Sequence, residues 1–268
     1  MVRKSKPPAS ADDQKLSNRL AQLEQTEPIG GIDGPGRWLV AEFVPTAMFS
    51  LKVSSATSSV GKTLVVPTPY AIKMALVDAG FRASLSEGDC AEMVRTLSRV
   101  DVRISPAREV VVTHTFIKVR QESRDADPLR PYTPTISYRE IAHMNLPISW
   151  AFDLATTDDV CASRLSELLP HISYIGKRGC FVRFLRSYRV SALGPEFTQP
   201  VAHGALWSVP RRAHIVSLDD FGSDADLDTL SSFTQRRVKR EKHRRFVETI
   251  IPVGIVNTGP GFTQYSRN

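Results

Sequence analysis

The chain has 268 residues, 41% of them hydrophobic, with a formal charge of +7 and a pI near 9.5. That supports one large or two small globular domains and favours a polyanionic partner, although charge alone does not choose between RNA, DNA and an acidic protein surface. Apolar runs fall short of the roughly 18 residues of a membrane span, "MVRKSKPPASADD" lacks a signal-peptide core, and Cys90, Cys161 and Cys180 have no metal-ligand spacing, so a cytoplasmic protein with no membrane partner is expected.

Residues 1–36 are polar and end in "IGGIDGPG", which marks an extension outside the core. Within it Ser10 and Asp13 fit a capping box, and Leu16, Leu20 and Leu23 share a helical face; a mostly disordered arm is the alternative. Trp38 to Val53 reads as the first core strand, with Pro45 at a bulge or edge. "SSVGKTLVVP" then ends as a phosphate-binding P-loop does, but Ala56 replaces the first glycine and Pro67 would break the following helix, so a nucleotide-hydrolysing loop is excluded.

Thr68-Pro69 predicts a helix start and Gly80 its C-cap, with Ile72, Leu76 and Ala79 inward and Lys73 outward or at a groove. Ser86 to Ser98 predicts a second helix with Cys90, Met93, Val94 and Leu97 buried. "VDVRIS" and "EVVVTHTFIKVR" alternate as strands. Residues 121–138 hold three prolines and predict a projecting loop or hairpin, with strands returning at "ISYREIAHM" and "PISWAFDLA". A helix follows from Thr157-Asp158 to Leu169-Pro170, with Val160, Leu165, Leu168 and Leu169 inward, then a glycine-containing loop and a strand through "CFVRFLRSYRV". Beyond Gly194 the pattern predicts a strand in "SVPRRAHIVSLDDF", an acidic loop or short helix, a basic run at 236–245, a last strand in "VETIIPVGIV" and a tail. Without its insertions the order is strand, helix, strand, strand, helix, strand, the α+β ferredoxin-like (RRM-like) arrangement. The domains expected are an extension at 1–36, a core at 37–193 with an insertion near 120–140, and a basic segment at 194–268 returning to the core.

Three places carry cations suited to nucleic acid. The basic run holds Arg236, Arg237, Lys239, Arg240, Lys242, Arg244 and Arg245 against Glu241, a density that tracks a phosphate backbone or forms a solvated face. "YIGKRGCFVRF" sets Lys177 and Arg178 between two glycines, with Arg183 beyond, which reads as a loop approaching phosphate or as an ordinary hairpin turn. Arg120, Arg124, Arg130, Tyr132, Tyr138 and Arg139 mix guanidinium groups and rings for stacking on bases; a solvated loop is the alternative. Lys62 and Lys73 complete the expected RNA-binding set. The six histidines form no HxxxH or HExxH pair, so no metal or cofactor is expected. Metal-independent RNA cleavage needs a general base and a cation, which His114, Lys118 or a nearby tyrosine could supply, but a non-catalytic role is preferred.

"FSLKV", "VGKTLVVPTPYAIKMALVDAG", "ISYREIAH" and "YIGKRGCFVRFL", taken in order, resemble the RAMP superfamily of CRISPR-associated proteins. Within it the chain looks like the Cascade-type subunit that caps the 5′ handle of the guide RNA. Pro67-Thr68-Pro69 fits the family's entry into its first helix, and Tyr174 to Gly179 its "YIGKRGG"-like turn, with Cys180 in place of the second glycine. The resemblance spans roughly residues 38–186. It implies a ferredoxin-like core with a β-hairpin thumb at 120–140, and as partners crRNA, repeated backbone subunits and a large or small subunit. The basic run and the segment after Gly194 are not general features of the family, and that segment is read as contacting target DNA or another subunit. Some relatives cut precursor crRNA without metal; a basic scaffold for acidic proteins is a further reading.

Overall fold

The computed structural model describes residues 36–53, 60–122, 131–201, 212–231 and 234–267, so the expected extension at 1–36 lies almost wholly outside the described residues. Strand β1 (Trp38–Pro45) ends on its proline, which has no N–H to continue a ladder. Short bridges at Phe49 and Lys52 follow instead of the expected continuous strand, then β2 (Val60–Gly61). Helix α1 (Pro69–Arg82) starts as predicted: Thr68 Oγ1 accepts the Ala71 N–H at 3.1 Å, and Pro69 occupies the first turn.

Gly80 is not the C-cap. It lies inside α1, where an added Cβ would stand 3.1 Å from Met93 of helix α2 (Glu87–Leu97), so its smallness lets the two helices approach; the cap is Ala83, with Ser84 at φ 64°. Helix α2 carries Cys90, Met93, Val94 and Leu97 inward as expected. Lys73, expected outward or at a groove, is fully buried.

Next come β3 (Val102–Ser105), the long strands β4 (Glu109–Glu122) and β5 (Tyr132–Asn145), and β6 (Ile148–Asp153). β4 and β5 pair antiparallel over their whole length, from Glu109 opposite Asn145 to Glu122 opposite Tyr132, so the proline-rich insertion is the outer part of a hairpin. At the end of β6, the Asp153 carboxylate accepts bonds from Arg37 Nε and from the Ala155 N–H. Helix α3 (Asp159–Leu168) is capped by Asp158; Leu165 and Leu168 face in, but Val160, expected inward, is exposed in its first turn. Strand β7 (Val182–Val190) follows.

The remaining chain is mostly strand: β8 (Gln199–Pro200), β9 (His214–Phe221), the one-turn helix α4 (Leu227–Leu230), β10 (Arg244–Ile251), β11 (Val253–Gly259) and β12 (Phe262–Arg267). Two sequence expectations are corrected here. The single last strand breaks at Pro252 into β10 and β11, and the expected tail is β12, which pairs with both β11 and β4. Its side chains are all partly buried, so no apolar alternation marked it in the sequence.

The protein is thus a mixture of helices and antiparallel sheets. One sheet has the order β3-β6-β1-β7, a second β11-β12-β4-β5-β2 and a third β8-β10-β9; every ladder is antiparallel except the short β2–β5 pair. The main core packs Leu39, Ala41 and Phe43 of β1 against α1, with Phe43 stacked on Trp150 at 4.0 Å between ring centroids. The other face of the first sheet holds a smaller cluster of Trp38, Val40, Ala151 and Phe197. No described helix is long and apolar enough to cross a membrane.

Candidate nucleic-acid interface

The turn at 176–179 is a tight backbone loop. Ile175 N–H donates to Cys180 O at 3.1 Å and Cys180 N–H to Lys177 O at 3.0 Å. Gly176 at φ 63° and Gly179 at φ 101° sit in the left-handed region that side chains disfavour. A Cβ on Gly176 would stand 3.1 Å from Leu51 and 3.6 Å from Ala71, so this glycine also lets the turn lie against the first turn of α1. Lys177 and Arg178 are exposed at its tip.

That contact creates a groove of about 430 Å³ whose walls include Lys52, Thr68, Tyr70, Lys177, Asp219 and Arg244. The Arg244 guanidinium lies 4.4 Å from the Tyr70 ring centroid, and Tyr70 packs edge-on against Phe221 at 5.3 Å. Burial pushes the Tyr70 phenol up, with Arg244 opposing, so the ring stays neutral. Arg244 Nε also donates to Asp219 at 2.7 Å, which holds the guanidinium over the ring. Three cations, one aromatic ring and one carboxylate therefore line the groove, an arrangement suited to phosphate contacts beside a stacked base.

Of the residues expected to bind RNA, this groove gathers Lys177, with Arg178 beside it, and Arg244 of the basic run. Lys62 is exposed elsewhere, near enough to His214 to reinforce the lowering of that imidazole by burial. Arg139 lies across Gly61, where a Cβ would meet its Nη1 at 2.6 Å. Arg120 and Tyr132 are exposed on the hairpin; Arg124 and Arg130 lie outside the described residues. Arg183 is exposed on β7 beyond the turn.

The basic run is less cationic than its composition. Arg236 pairs with Asp226 at 3.1 Å and with Asp228 at 3.5 Å, Arg240 with Glu241 at 3.5 Å, Arg244 with Asp219, and Arg245 with Asp220 at 2.7 Å. Among the described residues, Arg237, Lys239 and Lys242 remain exposed without an ion pair.

Lys73 is withdrawn from any interface. Its Nζ stands 2.6 Å from Asp220 Oδ1, and burial pushes its ammonium down while Asp220 opposes the shift. Sequence reasoning missed Lys52, Tyr70 and Asp219, and took Arg244 only as part of the basic run. The adjacent Asp219-Asp220, which fix Arg244, Lys73 and Arg245, were the signal available.

No cluster of metal-ligating side chains occurs among the described residues. His114 Nδ1 lies 3.7 Å from Glu140 Oε1, and the His114 ring is stacked on Tyr138 with centroids 5.4 Å apart.

No family model and no curated protein matches the chain. Solved structures do. A CRISPR protein from Archaeoglobus fulgidus is similar over 86% of this chain and 92% of its own, with 12% identity and a TM-score of 0.44. A chain of a Type III-B Cmr-beta structure bound to cognate target RNA is similar over 67% of this chain and 66% of its own, with 11% identity and a TM-score of 0.41. A chain of a CRISPR RNA-guided surveillance complex is similar over 80% of this chain and 90% of its own, with 15% identity and a TM-score of 0.38.

Proposed function

We propose that the protein is a non-catalytic crRNA-binding subunit of a CRISPR effector complex of the Cascade type, holding the 5′ handle of the guide by phosphate contacts and base stacking. One observation carries this reading. Pro67-Thr68-Pro69 and Tyr174 to Gly179, the motifs on which the resemblance rests, are distant in sequence and meet at one groove lined by Lys52, Lys177, Arg244 and Tyr70. A random pair of short motif matches has no reason to be adjacent in the fold.

In this reading the β3-β6-β1-β7 sheet with α1 and α3 is a ferredoxin-like RAMP core, and its strand order supports that assignment. The β4–β5 hairpin is the thumb. Its exposed Phe116 and Ile136 suit a contact with a backbone subunit, and its Arg120, Arg139 and Tyr132 a bent guide strand. Arg237, Lys239 and Lys242 remain for target DNA or a large or small subunit.

A second reading, metal-independent cleavage of precursor crRNA, has the His114–Glu140–Tyr138 arrangement in its favour. The basic-scaffold reading has less support, because four arginines of the run are already paired within the chain.

The test is binding of the purified chain to a labelled repeat-derived RNA over a salt series, with the same samples run on a denaturing gel in EDTA. Tight, steeply salt-dependent binding with intact RNA is the expected result. A cut product bearing a 2′,3′-cyclic phosphate transfers the assignment to the nuclease, and weak unselective binding removes both RNA readings.

A further inference from the structure

A second cleft, of about 350 Å³, opens between the edge strand β3 and the β9–β10 ladder. Successive strand residues face opposite ways, so Asp220 and Arg245 line this cleft while Asp219 and Arg244 line the groove described above. Arg99, Arg103 and Arg245 face the cleft with only Asp101 and Asp220 against them, and Asp220 is already shared with the buried Lys73. The cleft therefore carries excess positive charge.

Two further details point to a ligand. Arg245 donates from Nη2 to Asp220, yet its side chain is still 41% exposed and lines the cleft, so its guanidinium is not used up by that pair. Arg99 is exposed at the rim with no ion pair among the described residues. At the β3 edge Thr198 takes both the N–H and the C=O of Ile104, and ladder alternation turns those of Val102, which lines the cleft, to the same side, so Val102 is the backbone pair that faces a ligand. Ile104, Leu218 and Val247 supply apolar wall for a flat ring.

We propose that this cleft binds a single nucleotide, its phosphate held by Arg99 and the Arg245 guanidinium and its base laid against Val102 at the edge of β3. The nucleotide is either free or the phosphorylated end of an RNA strand. The site is separate from the groove and does not depend on the groove binding RNA.

The test is calorimetric titration of the full chain with adenosine 5′-monophosphate and with inorganic phosphate at low salt. Saturable nucleotide binding is expected, weakened at least about tenfold by Arg99→Ala and by Arg245→Lys, which keeps the charge facing Asp220 but loses the planar, multiple-donor guanidinium. The Lys177→Ala/Arg178→Ala double variant should leave it intact, so failure of the groove is separable from failure of the cleft. Displacement of the nucleotide by a short 5′-phosphorylated RNA but not by its 5′-hydroxyl form assigns the site to a strand end; no displacement by either assigns it to free nucleotides. Absence of nucleotide binding at millimolar concentration, unchanged affinity in Arg99→Ala, or equal displacement by both RNAs overturns the proposal.

Discussion

Lys73 Nζ and Asp220 Oδ1 stand 2.6 Å apart, with the lysine side chain wholly removed from solvent and the same carboxylate bound to Arg245 at 2.7 Å. One acid thus balances two cations inside the fold. Asp220→Asn should cost about 3–5 kcal/mol in urea denaturation, because it leaves a buried ammonium unpaired. Lys73→Met should cost less than half as much, since Asp220 keeps Arg245 and the Phe221 N–H. Equal losses in the two variants would contradict the shared-acid arrangement.

The turn at 176–179 offers two exposed cations at the mouth of the groove. The double variant Lys177→Ala/Arg178→Ala should weaken RNA binding by about 1–3 kcal/mol without shifting the thermal midpoint. Unchanged affinity in a filter-binding titration would remove the turn from the RNA site.

Asp219 is the one carboxylate in that groove, and it competes with phosphate for Arg244. Asp219→Asn should therefore tighten RNA binding and steepen its dependence on the logarithm of salt by about one. A weaker or salt-insensitive complex would show that Arg244 is structural only.

Thr68 caps α1 beneath the same groove. Thr68→Ala should lower stability by about 1 kcal/mol, and Thr68→Ser should restore most of it. A loss confined to RNA affinity would point to direct ligand contact instead.

Acid stability has a named contributor. The Arg37 guanidinium holds the Asp153 carboxyl below its usual range, so this pair contributes above the unfolded aspartate value near pH 4 and is lost as pH falls through the depressed native value. Arg37→Gln should narrow the stability gap between neutral and acid pH. Parallel curves for the two proteins from pH 7 to 3 would refute the assignment.

The helices and the first sheet were legible because local signals agreed with the fold. Thr68, Ser86 and Asp158 cap helices that start as predicted, and the stripe Cys90, Met93, Val94 and Leu97 is buried. Gly80 misled because a glycine near a helix end has the same sequence signature whether it terminates the helix or admits a neighbour. Lys73 misled because nothing local announces Asp220, which lies far along the chain. β12 was illegible since its strand character comes from β4 and β11 on either side. The groove was half legible: its two motifs stand in the sequence, but the fold adds Tyr70 and Arg244.

Arg244 and Arg245 occupy adjacent positions on β10, opposite Phe221 and Asp220 of β9, and face different clefts. The two cavities are therefore phased by one strand register. A single residue inserted between Lys242 and Arg244 leaves β10 able to slide, and a slip of one position would carry each arginine to the opposite side of the sheet and undo the Arg244–Asp219 and Arg245–Asp220 pairs at once. Substitutions can tune either cavity alone, but length changes in this strand cannot.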